Sequence, residues 1–420
     1  MDGSRTPKYE DAVTHTIGNI PQNGIRFLAG SPDSLKTVKP LPPFDGETLL
    51  FLEDLAKELR KNCASSFPDI ASFAFWCRKS NLCRLKSAHT YKGEFRLGRG
   101  RIFHIAPSNV PINFAFSFAF GLLAGCANTV RVSSKMFPQV EIVSEVISRI
   151  LESGYPAIAA QNAIIQYGPD DEITRSLSLG ADCRIIWGGD ATIAKIRSFP
   201  LKPRGFDVSF ADRVSLAVIN EDAVAALPEN ELVLLAKQFY NDTYLVDQNA
   251  CSSPHLVVWI THQGTPNGKE SFWKAVADEA RCRYDFPPIK SIDKYTLLCE
   301  NAIRFAESNA FESFRSYNGN ILSVVGLTAL PIRLEALRGT CGLFYQFETP
   351  DLEPLAEHLN EKFQTIVTFG VDRKEIAKWV AGSGMMGIDR VVPIGSALDI
   401  GTIWDGYDLV QTLTRTIQYS

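Results

Sequence analysis

The chain reads as an α/β protein, with a doubly wound parallel sheet followed by a second α/β domain. Three observations predict this. Short apolar runs alternate with helical-period segments through the first half: RIFHIA, TVRVSS, NAIIQYG and ADCRIIWGG. The alternation resumes after residue 210 with SLAVI, LVVWI, GLFYQFE and TIVTFG. Strands that alternate with helices build parallel sheets with helices on their faces. At 420 residues the chain also exceeds one ordinary core, so two or three domains are expected.

Taken in order, residues 1 to 45 read as irregular structure with short strands, ending in KPLPPFDG. Asp45 is placed to cap the helix ETLLFLEDLAKELRK, because its carboxylate can accept first-turn N–H groups. A second amphipathic helix is expected over about 70 to 85. RIFHIA then forms a strand ending in a Pro-Ser-Asn turn. The run INFAFSFAFGLLAGCA, residues 112 to 127, is too short and too rich in Asn, Ser and Gly for a bilayer span, so a buried helix is expected. TVRVSS is the next strand, and FPQVEIVSEVISRILESG the next helix. NAIIQYG, a helix near 170 to 179 and ADCRIIWGG continue the series. The region 221 to 245 reads as helical, and 270 to 315 as mostly helical. There is no internal repeat and no low-complexity segment.

Four landmarks carry polar chemistry. Pro107-Ser108-Asn109-Val110-Pro111 follows a strand, and Arg131-Val132-Ser133-Ser134-Lys135 ends the next one. Trp187-Gly188-Gly189-Asp190 marks a strand-to-helix turn, and Cys251 lies in NACSSPH between a helix and the run LVVWI. Strand ends of a doubly wound sheet gather at its carboxyl edge, where ligands bind. Gly188 and Gly189 let backbone approach a phosphate at a helix start, although G-x-G-x-x-G is absent. Cys251 is the candidate nucleophile, since a thiol on a turn beside a core can be reached by substrate and shielded from water. His255, four residues on, could lower its pKa or simply cap the strand. His104 reads as a satisfied core histidine. Cys63, Cys77, Cys83, Cys126, Cys183, Cys282, Cys299 and Cys341 read as buried.

Composition narrows the function. A formal charge of -4 without a basic block argues against nucleic-acid binding. Nine scattered cysteines with no CxxC pair argue against a zinc site, and no metal is expected. They fit a reducing, cytoplasmic setting. The polar start MDGSRTPKYEDAV carries no apolar signal core, and no transmembrane segment is expected.

PSNVP resembles the P-W-N-F-P motif of the aldehyde dehydrogenase superfamily, with Asn109 at the asparagine. RVSSK resembles its K-P-x-E segment, and WGGDAT its G-S-x-x-x-G turn. HIAPSNVP, NACSSPH and the C-terminal RVVPIGSALDIGTIWDGYDLVQTLTR are similar, more narrowly, to the LuxC-type acyl-CoA reductases of bacterial bioluminescence operons. This second resemblance runs from about residue 95 to the end.

The resemblance implies an aldehyde-dehydrogenase-like fold. Residues 1–207 would comprise the N-terminal region and nicotinamide cofactor domain, and 208–385 the catalytic domain. Residues 386–420 would be a segment packing on the core or an oligomer interface. It implies reduction of a long-chain acyl-CoA or acylated partner protein (an acyl-activating synthetase) to aldehyde. Cys251 would form the thioester, and Asn109 and the Cys251 N–H would hold the carbonyl oxygen. Arg131, Ser133, Ser134, Lys135, Gly188 and Gly189 would contact the cofactor. Where the superfamily's glutamate base aligns, this chain has Ser209, which cannot act as a base at neutral pH; Asp212 could take part of that role. The acidic residue of K-P-x-E is missing beside Arg131 and Lys135, which favours NADPH. A homo-oligomer is expected. Two alternatives remain open: an acyl-phosphate reductase of the same superfamily, and a catalytically silent member that binds a partner.

Overall fold

The computed structural model describes residues 24–62, 67–89, 94–135, 137–261, 267–306 and 310–419. The chain divides into two compact units, one of residues up to Ala211 together with those from Tyr407 onward, the other Asp212–Gly406.

The first unit holds a six-stranded sheet: β1 (Arg26–Ala29), β3 (Arg101–Ile105), β4 (Ala127–Val132), β5 (Asn162–Gln166), β6 (Cys183–Trp187) and β7 (Phe206–Phe210). β2 (Phe95–Gly98) lies outside it. The order is β1-β5-β4-β3-β6-β7, parallel except for the antiparallel edge strand β1. The chain leaves β3 toward β4 and β5, then returns to the other side for β6 and β7. The order therefore reverses between β3 and β6, and the crevice at such a switch point is where open α/β sheets bind ligands. β3 and β6 are buried along their whole length, which explains their mainly apolar sequences; their polar residues Arg101, His104 and Arg184 are hydrogen-bonded within the core.

Asp45 caps the first long helix, Gly46–Asn62, accepting the N–H groups of Glu47 at 3.0 Å and Thr48 at 3.3 Å. The apolar run forms the helix Asn113–Leu123, buried on every side. Phe116 meets Phe73 and Trp76 edge-on, at 5.0 and 5.6 Å between ring centroids. No described helix is long and apolar enough to cross a membrane. The helix expected over 70 to 85 is two helices, Pro68–Trp76 and Lys79–Ala88, divided at Cys77-Arg78.

The second unit holds a seven-stranded sheet: β8 (Val214–Asn220), β9 (Pro254–Ile260), β10 (Phe311–Tyr317), β11 (Leu322–Leu327), β12 (Leu343–Thr349), β13 (Phe363–Phe369) and β14 (Arg390–Pro393). The order is β10-β11-β12-β9-β8-β13-β14, parallel except at β10. Alternate residues of β9 feed two cores: Val257 and Trp259 pack in one, Leu256, Val258 and Ile260 in the other.

Prolines reset several expected helices. The region 221 to 245 splits at Pro228 into Glu221–Ala225 and Glu229–Thr243. The region 270 to 315 splits at Pro287-Pro288 into Gly268–Arg283 and Pro288–Arg304, and ends in strand β10. The tail also differs from a single segment 386–420. β14 pairs with β13 inside the second unit, whereas Thr414–Ile417 pairs antiparallel with β2 in the first. The division between units falls at 211/212 rather than 207/208, because β7 runs to Phe210 beside β6. Of residues 1 to 45, those before 24 lie outside the described residues; the rest hold β1 and a 3-10 turn, Pro32–Leu35.

Candidate active site

In the first unit the sheet brings three of the landmarks to one edge. Asn109 follows β3, Arg131 to Lys135 end β4, and Gly188-Gly189 follow β6, and these three strands are neighbours. Asn109 is exposed on its turn. The Arg131 guanidinium lies 4.7 Å from the Tyr167 ring centre, and its Nε is buried without a hydrogen-bond partner. Ser133 Oγ accepts the Lys135 N–H at 3.1 Å, shaping a turn that leaves Ser134 and Lys135 exposed. A side chain at Gly188 would press on Thr192 at 3.1 Å, whereas Gly189 faces open space at the start of the helix Asp190–Arg197. Bare backbone, an orphaned guanidinium nitrogen and an exposed ammonium fit the phosphates of a dinucleotide. Asp190 puts a like charge in the first helical turn, so Arg131 and Lys135 would have to carry the phosphate attraction.

A buried line of hydrogen bonds runs beneath this edge. Trp187 Nε1–H donates to Ser117 Oγ at 3.0 Å, and Ser117 lies 2.8 Å from His104 Nδ1. His104 Nε2 lies 3.0 Å from Asn128 Oδ1, and Asn128 Nδ2–H donates to Asn162 Oδ1 at 2.8 Å. Asn128 offers an acceptor, so His104 carries its proton on Nε2 and Ser117 donates to Nδ1. Burial lowers the His104 pKa to about 4, so the ring is neutral. In an unfolded chain it would take up a proton below about 6.5. Its contribution is therefore complete above pH 6.5 and is lost as pH falls toward 4. Replacing His104 with Gln should destabilise the protein at pH 7.5, and the deficit should shrink by about 2 kcal/mol at pH 5. Urea unfolding of both proteins at the two pH values checks this; a constant deficit would show that the ring does not titrate between the folded and unfolded states.

In the second unit, Cys251 lies before β9, at the amino edge of the parallel strands. This corrects the expectation that all four landmarks gather at carboxyl edges: the turn leads from a helix into a strand. Asp247 and Gln248 take left-handed backbone, with φ of 52° and 60°. Gln248 fastens the turn, accepting the Gly342 N–H at 2.8 Å and donating to the Leu343 carbonyl at 3.1 Å. The Ser215 hydroxyl donates to the Cys251 carbonyl at 2.7 Å. Ser253 Oγ donates to the Asp242 carbonyl at 2.7 Å, and the Asp242 carboxylate accepts the N–H groups of Gly395 at 2.6 Å and Ala397 at 2.9 Å. Burial pushes Asp242 up to about 7 against those two bonds. Asp242 thus ties the C-terminal motif to the cysteine turn.

The Cys251 residue keeps partial exposure, yet burial pushes its thiol up to about 12. Asp405 raises it further, while Gln364, Arg213 and Arg390 oppose the rise. His255 serves elsewhere. Its Nδ1 accepts the Gly339 N–H at 3.1 Å, and burial, reinforced by Arg338, lowers its pKa to about 4. A neutral ring bound to backbone offers no charge to a thiolate. Any side chain at Gly339 would strike the Leu343 carbonyl, so this N–H is held in place.

Other expectations meet specific partners. Ser209 Oγ accepts from Arg197 at 3.0 Å, and Asp212 forms a two-pronged pair with Arg338 at 3.0 and 2.8 Å. Glu348, near the end of β12, is half exposed and pairs with Lys269 at 2.5 Å. Two arginines, Arg213 and Arg390, act on Cys251. Both are engaged by the protein: Arg213 by Asp389, Asp405 and the Phe363 carbonyl, Arg390 by the carbonyls of Ser396, Ala397 and Asp399. Cys77, Cys126, Cys183 and Cys341 are buried. Cys83 and Cys282 are exposed and Cys299 is intermediate, each on a helix turned partly to solvent; Cys63 lies outside the described residues. Among the described residues no group of three or more His, Cys, Asp or Glu side chains could hold a metal ion.

The class follows from comparison of folds. Lactaldehyde dehydrogenase from Escherichia coli matches with a TM-score of 0.62 and 12% identity, over 97% of this chain and 90% of that one. Aldehyde dehydrogenase 21 from Physcomitrella patens, solved with its product succinate, matches at 0.60 and 14%, over 97% and 89%. A Mycobacterium tuberculosis aldehyde dehydrogenase complexed with NAD+ matches at 0.60 and 13%, over 90% and 85%. The fold is that of the aldehyde dehydrogenases. Residues 81–296 match the family model of the acyl-CoA reductases (LuxC), and the chain belongs to that family. No curated protein matches it.

Proposed function

We propose that this chain reduces a long-chain fatty acyl thioester to the aldehyde through a thioester on Cys251, with NADPH as reductant. The observation that carries this is the cysteine turn itself. It presents a half-buried cysteine, pinned through its own carbonyl by Ser215, in a chain of the acyl-CoA reductase family. Cys251 attacks the acyl carbon, and the leaving thiolate departs with its electron pair. Bound nicotinamide would supply a hydride to the acyl carbon. The carbonyl oxygen gains negative charge in both steps, and Asn109 with the Cys251 N–H is assigned to receive it. Collapse releases aldehyde and returns the Cys251 thiolate.

Arg131, Ser133, Ser134, Lys135, Gly188 and Gly189 are assigned to the dinucleotide, with Arg131 and Lys135 favouring a 2'-phosphate. Water must be kept from the acyl-enzyme, and the side chains at the expected base position support this. The Ser209 hydroxyl is no base, and the Asp212 carboxylate is paired with Arg338. An acyl-phosphate substrate with an acidic tail would need a free arginine clamp, whereas Arg213 and Arg390 are engaged by protein groups. The purified chain, given NADPH and a mixture of tetradecanoyl-CoA and small acyl phosphates, should yield tetradecanal by gas chromatography. Absence of any aldehyde from acyl-CoA would overturn the assignment.

A further inference from the structure

A thioester-forming cysteine works as its thiolate. Yet the Cys251 sulfur is buried beside a carboxylate, Asp405, and the nearest histidine in sequence is neutral and bound to Gly339. Something else in this unit must favour the anion.

Gln364, the second residue of β13, is fully buried. Its backbone is locked to that of Cys251: the Thr365 N–H donates to Ser215 Oγ at 3.1 Å, and Ser215 donates to the Cys251 carbonyl at 2.7 Å. Its side-chain Oε1 accepts from Thr365 Oγ1 at 3.3 Å, and its Nε2 donates to Asp405 Oδ1. An amide nitrogen has two N–H groups. One is spent on Asp405; through the Ser215 bridge the start of β13 lies against the cysteine turn, and Gln364 acts to lower the Cys251 thiol pKa.

Asp405 is held as firmly. It sits in left-handed backbone, with φ of 47° and Gly406 following at 74°, and Arg213 donates to it at 3.2 Å. Arg213 is braced in turn by Asp389 and the Phe363 carbonyl. Arg390, stacked 4.3 Å from the Trp404 ring centre, supplies the other positive charge near the sulfur.

We propose that Gln364 is the hydrogen-bond donor that stabilises the Cys251 thiolate, and that Asp405 is the positioning residue that turns its amide toward the sulfur. The inference rests on reading Cys251 as the nucleophile. The thiol proton leaves to solvent, the new S–C bond forms, and the departing thiolate of the substrate takes up a proton. Asp405 acts in two opposed ways: it orients the donor, and its charge works against the anion. Arg213 and Arg390 offset that charge.

The two roles separate by mutation. Iodoacetamide alkylation of Cys251 at pH 9, followed by peptide mass spectrometry, needs neither acyl substrate nor cofactor. Below the thiol pKa its rate follows the thiolate fraction, about tenfold per pH unit. Gln364→Met keeps the volume and removes the donor, so alkylation should slow about tenfold. Asp405→Asn keeps an acceptor for Gln364 and removes the charge, so alkylation should quicken by a similar factor. Unchanged rates, or shifts in the same direction, would overturn the proposal, and if one variant fails to fold the other decides by its own sign. Failure of the functional assignment would look different: wild-type protein would alkylate normally and form no acyl-enzyme.

Discussion

Cys251→Ala should leave no covalent acyl label after incubation with radiolabelled tetradecanoyl-CoA, and should cut aldehyde formation by at least about 1,000-fold. The magnitude follows from the role: a nucleophile has no partial substitute, and the residual rate reflects binding and polarisation alone. The fold should survive, because what holds the turn is backbone and neighbouring side chains. Ser215 grips the Cys251 carbonyl, Gln248 ties the turn to Gly342 and Leu343, and Ser253 bonds Asp242. Melting temperatures within a few degrees of wild type would confirm that chemistry and not structure was removed. Full labelling of the variant would move the nucleophile elsewhere. Cys83 and Cys282, the exposed thiols among the described residues, would then be the first to test.

Asn109→Ala should behave in the complementary way. The acyl label should persist, while aldehyde formation falls about 100- to 1,000-fold, the usual cost of one missing oxyanion donor. Asn109 is exposed on a turn framed by Pro107 and Pro111, so its truncation leaves no core cavity. Rapid-quench measurement of acylation and of aldehyde release, on the same preparation, separates the two steps. Equal losses in both would make the side chain a structural element of the turn.

The central strands were legible because they are buried on both faces and are mainly apolar, as in β3, β6 and β9. β1 and β10 escaped that logic. They lie at sheet edges, and β10 is exposed along FESFRSY, so no periodicity marks it. Cys251 was legible as a thiol between a helix and a strand, and family motifs supplied Asn109. Gln364 gave no signal, since one glutamine inside an apolar strand reads as core. Asp242 sits near the end of a helix, with nothing in its neighbours to show that its carboxylate binds a segment 153 to 155 residues later. Arg213 meets Phe363 and Gln364 because β8 and β13 are adjacent, and Asp405 reaches both Arg213 and Gln364 from a turn 41 residues beyond Gln364. Such pairs depend on sheet order, which local sequence does not encode. The histidines divided similarly. Both lie in apolar stretches, but the role of His255 was decided by Gly339, a residue far along the chain.

The pairing of Thr414–Ile417 with β2 has a consequence for biosynthesis. During translation the polypeptide emerges from its amino end, so β2 must wait with one flank unsatisfied until Thr414–Ile417 has emerged. The intervening residues, which include the whole of the second unit, can mature during that delay. A chain released just short of residue 414 would therefore carry the whole Cys251 turn while β2 still lacked its closing strand.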